Sequence, residues 1–393
     1  PIFEWEQRKL EDLGSFKNGM NFDKSAMGHG HPFINLQNIF GKTVVDDKDL
    51  GLAVSSEKQR NEYNLLKGDI LFIRSSVKPE GVGEAALVPK NFENTTFSGF
   101  IIRFRPHITI DDEFKRVIFA TKTVRNQIMA LATSSANTNI NQISLGKIII
   151  ELPELSEQSK IGNLFKQLDN AIALHQQKQR QIRSLKQGFI KNLFPNNKNS
   201  APRIRFSIFN DDWNQRNASE IFTSVSDKNY PELPVLSASQ EKGMVLRESN
   251  GIDIKYDQKS TGTYKRVLPG QFVMHLRSFQ GGFAYSTIEG ITSPAYTILA
   301  FRNKEDHYPL FWKSIFSSKN FIKRLEAITY GIRDGRSISY ADFSTLRFWI
   351  PSYEEQKQIG DFIESIDATI AFYQRQIDMM QSLKKELLNK MFI

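Results

Sequence analysis

Two stretches of the chain carry apolar residues at alternating steps of three and four. In residues 153–195 these are Ile161, Leu164, Leu168, Ala171, Ile182, Leu185 and Phe189. In residues 351–393, Ile359, Phe362, Ile366, Thr369, Met380, Leu383 and Leu387 take the same places. This spacing predicts two long helices, each with one greasy seam. Pro153 and Pro351 stand just ahead of acidic first turns, a helix-start signal. At 1.5 Å per residue each rod would run roughly 60 Å. An exposed rod with a seam needs a partner, and the other copy is the natural one. Midway the seam turns polar, at His175 and Lys178 in one copy and Tyr373 and Gln376 in the other. Polar residues there cost stability but can fix register.

The two stretches are copies. They align without a gap at an offset of 198, with 13 of 43 positions identical. Pro153, Glu157-Gln158, Ile161-Gly162, Asp169, Ser184-Leu185-Lys186 and Phe194 meet Pro351, Glu355-Gln356, Ile359-Gly360, Asp367, Ser382-Leu383-Lys384 and Phe392. The similarity extends upstream. Trp5-x-Gln7-Arg8 matches Trp213-x-Gln215-Arg216, and Lys67-Gly68-Asp69-Ile70 resembles Pro269-Gly270-Gln271-Phe272. A repeat of this kind is an architectural statement, because each copy must form the same unit. The predicted organisation is a first domain at 1–152, a long helix at 153–195, a polar linker at 196–202, a second domain at 203–350, and a second long helix at 351–393. The chain opens on Pro1 rather than Met. The run Arg203-Ile204-Arg205-Phe206 before Trp213 has its counterpart ahead of residue 1, which points to a trimmed N-terminus.

Within each domain, short β-branched and aromatic runs predict strands: 69–73, 100–104 and 148–150 in the first, 272–276, 296–301 and 346–350 in the second. Helices are expected at 113–131 and 308–327. The fold class is therefore α+β, present twice. Polar loops lie between the strands. Arg74, Ser76 and Lys78 sit on one loop of the first domain, and Asn137, Asn139, Asn141 and Gln142 on another. The second domain offers Arg277 and Gln280, then Arg333, Arg336 and Ser337. Arginine can read guanine edges and Asn or Gln adenine edges, while Ser and Lys hold phosphates. The amide-rich set and the Arg-rich set differ, as two readers of different sequences would.

Composition narrows the chemistry. The chain has 393 residues, no cysteine, and 52 Lys+Arg against 43 Asp+Glu, a net +9. This excludes disulfides, Cys-ligated zinc and thiol catalysis, and it permits a polyanion partner. No secretory leader precedes the globular sequence, so a cytoplasmic location is expected, without membrane association. The helices differ in charge: seven Lys/Arg against three Asp/Glu in 153–195, five against seven in 351–393.

Catalytic motifs are absent or incomplete. Gly41-Lys42-Thr43 ends like a phosphate loop, but Leu36 stands where its first Gly is needed. Gly81-x-Gly83-x-x-Ala86 runs into Leu87-Val88-Pro89, which reads as a turn between strands. His29-x-His31 lies among Gly28, Gly30 and Pro32 and reads as a mobile loop. Asp111-Asp112-Glu113 reads as the acidic start of a helix. The residues leave three readings open: a non-catalytic DNA reader, a structural coiled-coil adaptor without sequence-specific DNA binding, and a stand-alone DNA-modifying enzyme.

The duplicated Pro-x-x-x-Glu-Gln-x-x-Ile-Gly helix start, the Phe206…Trp213 entry to the second domain, Pro269-Gly270 and the Ser-Leu-Lys helix end resemble the specificity (S) subunit of type I restriction–modification enzymes. The resemblance covers essentially the whole chain. It implies two target-recognition domains, each reading one half of a bipartite double-stranded DNA site. It implies that the two long helices form an antiparallel coiled coil and dock two methyltransferase (M) subunits. Restriction–translocase (R) subunits would complete the assembly. The chain itself would be non-catalytic and would hold no cofactor, with S-adenosylmethionine, ATP and Mg on the partner subunits.

Overall fold

The computed structural model describes residues 5–134, 137–195, 200–239, 242–250, 258–329 and 338–392. The chain divides into two units, residues 1–176 with 375–393, and residues 177–374. Both long helices, Leu155–Leu193 and Tyr353–Met391, therefore contribute to both units.

The first unit is built on a four-stranded antiparallel sheet, Gly14–Asn18 / Ile101–Pro106 / Ile70–Ile73 / Ala85–Leu87. Its inner face, with Ile70, Phe72, Ile102 and Phe104, is buried against the helices Asp112–Ile118 and Lys122–Leu131. The second unit repeats the arrangement with Phe222–Val225 / Thr297–Phe301 / Phe272–Met274 / Ala284–Tyr285. In both, the strands stand in the order first, fourth, second, third along the chain. A separate antiparallel pair closes each unit: Glu6–Lys9 with Ile149–Leu152, and Asn214–Asn217 with Arg347–Ile350.

The single helices expected at 113–131 and 308–327 are each two. Thr121 and Ser318 interrupt them by accepting hydrogen bonds from the backbone N–H groups of Val124 and Phe321, which starts a new helix. His29 and His31 lie not in a loop but in the strand Met27–Ile34, where Gly28 and Gly30 adopt positive φ and the pairing with Gly51–Ala53 shifts register.

The duplicated helix-start motif is a joint. Gln158 is buried; its amide donates to Pro153 O at 2.9 Å and accepts from Asp111 N at 3.0 Å. Gln356 does the same in the second unit, donating to Pro351 O and Asp306 O and accepting from Tyr308 N. Each Gln ties the first turn of a long helix to the segment that opens an earlier helix of the same unit, Asp112–Ile118 or Pro309–Phe316. Gly162 and Gly360 let the long helix come close. A Cβ there would fall 2.6 Å from Phe114 N or 2.8 Å from Phe311 N.

The seam of the long helices corrects the sequence expectation by one step. Leu164, Leu185 and Leu383 are exposed, Leu185 at 60%. Phe165, Ile363, Ile370 and Ile377 are buried instead. Ile161 and Ile359 are buried, while Leu168, Ile182, Phe189, Phe362, Ile366, Met380 and Leu387 are half-buried. The true steps run 161, 165, 168, 172 and 182, 186, 189, 193, with the same phase in the second helix. The shift puts Lys186 and Lys384 on the seam where the pattern favoured the adjacent Leu. Each lysine lies along the seam and ends on an acid. In the first unit Lys384 pairs with Asp169, which also takes Arg116; in the second Lys186 pairs with Asp367. Asp169 and Asp367 are equivalent positions of the repeat, as are Lys186 and Lys384. Within each unit the two helical segments run antiparallel. Phe165 lies against Phe392 in the first unit, and Phe189 against Phe362 at 5.0 Å in the second.

His307 in the second unit is 8% exposed, stacked on Phe301 and edge-on to Trp312. Burial lowers its pKa to about 4, against the opposing pull of Asp306. The folded pKa lies below the unfolded one, so between pH 6.5 and 4 the unfolded chain binds the extra proton. The contribution is complete above pH 6.5 and is lost as pH falls, at no more than about 1.4 kcal/mol per pH unit. Urea midpoints at pH 7, 6 and 5 should drop accordingly, and H307F should flatten the slope. An unchanged slope in H307F would assign the acid sensitivity to other groups.

Candidate nucleic-acid interface

In the first unit the two polar loops meet in one small sheet. Ser75–Ser76 pairs with Thr138–Asn139, which pairs with Thr133–Ser134. Arg74 is the hub: its N–H donates to Phe100 O at 2.8 Å, its carbonyl accepts from Ile140 N at 2.9 Å, and its guanidinium donates to Gly99 O at 3.3 Å. Gly99 N in turn donates to Met20 O. Three chain segments thus converge on Arg74, and backbone bonds rather than flexible side chains hold them together.

The structure gives several of the selected side chains internal roles. Ser76 is buried beneath this patch. Asn141 caps the helix Gln142–Gly146 by accepting from Ser144 N at 2.9 Å. With its amide turned so that the oxygen faces Asn18, Gln142 accepts from Asn18 N at 2.9 Å and donates to Phe16 O at 3.3 Å. Asn139 donates to Asn137 O. Lys78 and Asn137 are exposed. Val77 stands out between Arg74 and Lys78 at 82% exposure, and Phe100 is 54% exposed beside Arg74. Sequence reasoning passed over both. The strand expected at 100–104 starts at Ile101, which leaves Phe100 outside it. An apolar residue in an otherwise polar loop was the available signal, since such a group can cover a thymine methyl.

In the second unit the equivalent loop is a short helix, Ser278–Gly281. The buried Ser278 hydroxyl accepts from His275 N at 2.9 Å, and His275 Nδ1 accepts from Arg277 N at 3.3 Å. Burial, then the neighbouring Arg277, lowers the His275 pKa to about 4, so its ring is neutral at physiological pH. Gly282 ends the turn at φ +86°; a Cβ there would meet Phe316 O. This fixed turn presents Arg277 and Gln280, both exposed. Arg333, Arg336 and Ser337 lie outside the described residues.

Among the described residues no group of three or more His, Asp or Glu is placed to hold a metal. No described helix is long and apolar enough to cross a membrane.

Residues 3–184 match the family model of the type I restriction modification DNA specificity domain. Those residues carry that family's domain. Over 98% of its length and 92% of the relative's, the chain is 21% identical to a putative type I restriction enzyme MjaX specificity subunit from Methanocaldococcus jannaschii. The fold resembles that of the S subunit of the M. genitalium type I restriction–modification system, with TM-score 0.59 and 15% identity over 100% of this chain and 97% of the other. It also resembles the HsdS subunit of Thermoanaerobacter tengcongensis, with TM-score 0.50 and 16% identity over 100% and 97% of the two chains. The duplicated sheets are the framework that carries the unlike polar loops of the two units.

Proposed function

We propose that each unit reads one half of a bipartite double-stranded DNA site, and that the chain carries no catalysis of its own. The supporting observation is one sheet order built twice with unlike loops at the same place: Arg74, Lys78 and Asn137 on one, Arg277 and Gln280 on the other. Two linked readers need only a few base pairs each, because the first contact raises the effective concentration of the second. The net +9 supplies phosphate attraction.

The helix faces turned away from the seams would dock two methyltransferase subunits. Leu164, Leu174, Leu185, Phe372, Met379 and Leu383 are exposed there and favour a protein partner. Restriction–translocase subunits would join the same assembly in the cytoplasm. S-adenosylmethionine, ATP and Mg would belong to those partners.

Exchanging residues 203–350 for the matching segment of another specificity subunit tests the reading. DNA selected from a random pool by the complex with methyltransferase should change in one half-site and keep the other. A change in both halves would defeat modular reading. Turnover by the purified chain with DNA, metal and S-adenosylmethionine would defeat the non-catalytic assignment.

A further inference from the structure

The second unit carries a groove of about 1210 Å³. Its walls are the end of the first long helix, the helix Lys319–Ala327 and the strand Arg347–Ile350. Five cations line it, Lys191, Lys319, Lys323, Arg324 and Arg347, with no Asp or Glu. None of the five takes part in an ion pair among the described residues. Arg324 is half-buried, with its guanidinium over the Phe348 ring at 4.9 Å and donating to Arg347 O at 2.6 Å. Burial without a counter-charge lowers its pKa. The remaining lining includes apolar surface from Ile190, Phe194 and Trp349.

The first unit does not share this feature. Gln127 stands where Arg324 stands, donating to Ile149 O at 2.9 Å. Glu151 opposes Gln7 in the closing strand pair, where Trp349 opposes Gln215. The duplicated fold therefore does not require the cations, and five like charges around one hollow repel one another until an anion arrives.

We propose that this groove receives an extended acidic segment of a partner protein, one that carries aromatic or aliphatic side chains among its carboxylates. The volume exceeds the roughly 300–1,000 Å³ of small-molecule pockets. A DNA duplex is convex; it would touch the rim and leave the apolar lining uncovered. A single strand binds by stacking bases on exposed rings; Phe321 and Phe348 are buried, at 2% and 3% exposure, which leaves it only the half-buried Phe194 and Trp349, so an oligonucleotide is an arm of the test. An extended polypeptide satisfies both parts, with carboxylates on the cations and apolar side chains on the floor.

The test uses the full chain and a fluorescein-labelled peptide of about twelve residues in which Asp and Glu alternate with Phe and Leu, an extended-segment mimic. Anisotropy should show saturable binding at low salt. The double variant K319E/K323E, altered at two exposed side chains, should weaken it at least about tenfold, the loss expected for removing charge-paired contacts. Replacing the peptide's Phe and Leu by Ser should weaken it to a similar degree. K122E/N126E, the corresponding change in the first unit, should leave it unaltered, and target-DNA affinity should survive K319E/K323E. Three results would overturn the proposal: no saturable binding; binding indifferent to K319E/K323E; or the Ser peptide or a single-stranded oligonucleotide binding as well and losing affinity in the same variant, which would make the groove a polyanion or nucleic-acid surface. Because the DNA measurement is separate, failure here leaves the half-site reading intact.

Discussion

E355A should destabilise the second unit by about 3–5 kcal/mol, the range for removing one partner of a buried pair. Glu355 is 1% exposed. Its carboxylate accepts from Arg205 Nε at 2.8 Å, Arg205 Nη2 at 2.7 Å and Trp213 Nε1 at 3.2 Å. Alanine would leave a guanidinium and an indole N–H without their acceptor. A domain is stable by only about 5–15 kcal/mol, so the loss is a large fraction. Three of the four tryptophans, Trp213, Trp312 and Trp349, lie in this unit, and their fluorescence will report its urea transition. R205M/E355L should recover part of the loss by removing both charges. E157A, at the equivalent position of the first unit, should change stability by less than about 1 kcal/mol, because this half-buried carboxylate makes no ion pair among the described residues. An E355A transition at the wild-type midpoint would refute this account of how the segment 203–213 is secured.

R277A and R74A should each relax one half-site and leave the other unchanged. A good bidentate arginine contact to a base is worth about 1–3 kcal/mol of discrimination, so specific affinity should fall between several-fold and about a hundredfold. Arg277 is exposed on a turn whose backbone is fixed by Ser278 and Gly282. Arg74 starts from a weaker position for the same task, because its guanidinium already donates to Gly99 O at 3.3 Å, a long bond that can be exchanged for a base edge. Selection from a random DNA pool, with each variant assembled on its methyltransferase, measures both effects. Uniform weakening across all sequences, with a shallower salt dependence, would make these residues phosphate contacts.

Much of this architecture could be read from the residues because the same message is written twice. Pro153 and Pro351, with their acidic turns, mark the helix starts, and the β-branched runs mark the sheets. The phase of the seam was hidden by Lys186 and Lys384. A lysine scores as surface in any apolar pattern, yet its methylenes lie along a partner helix when an acid waits at the end. Thr121 and Ser318 concealed two helix breaks, because a capping hydroxyl inside a helical pattern looks like a tolerated polar residue. The two loops of the first unit were found, but their division of labour was not. Whether Asn141 faces outward or caps its own helix depends on the backbone angle at that residue, which composition does not carry. Ser76 was lost for a related reason: a residue next to an exposed one in a strand points the other way.

The joint at Gln158 and Gly162, repeated at Gln356 and Gly360, leaves no swivel between shaft and sheet. A flexible tether would let each recognition surface search for its own orientation. Here the buried amide and the bare glycine backbone seat the start of each long helix directly on a helix of its own unit. On the proposed reading, a shift of that first turn would move the loops of its own unit over the bases they meet.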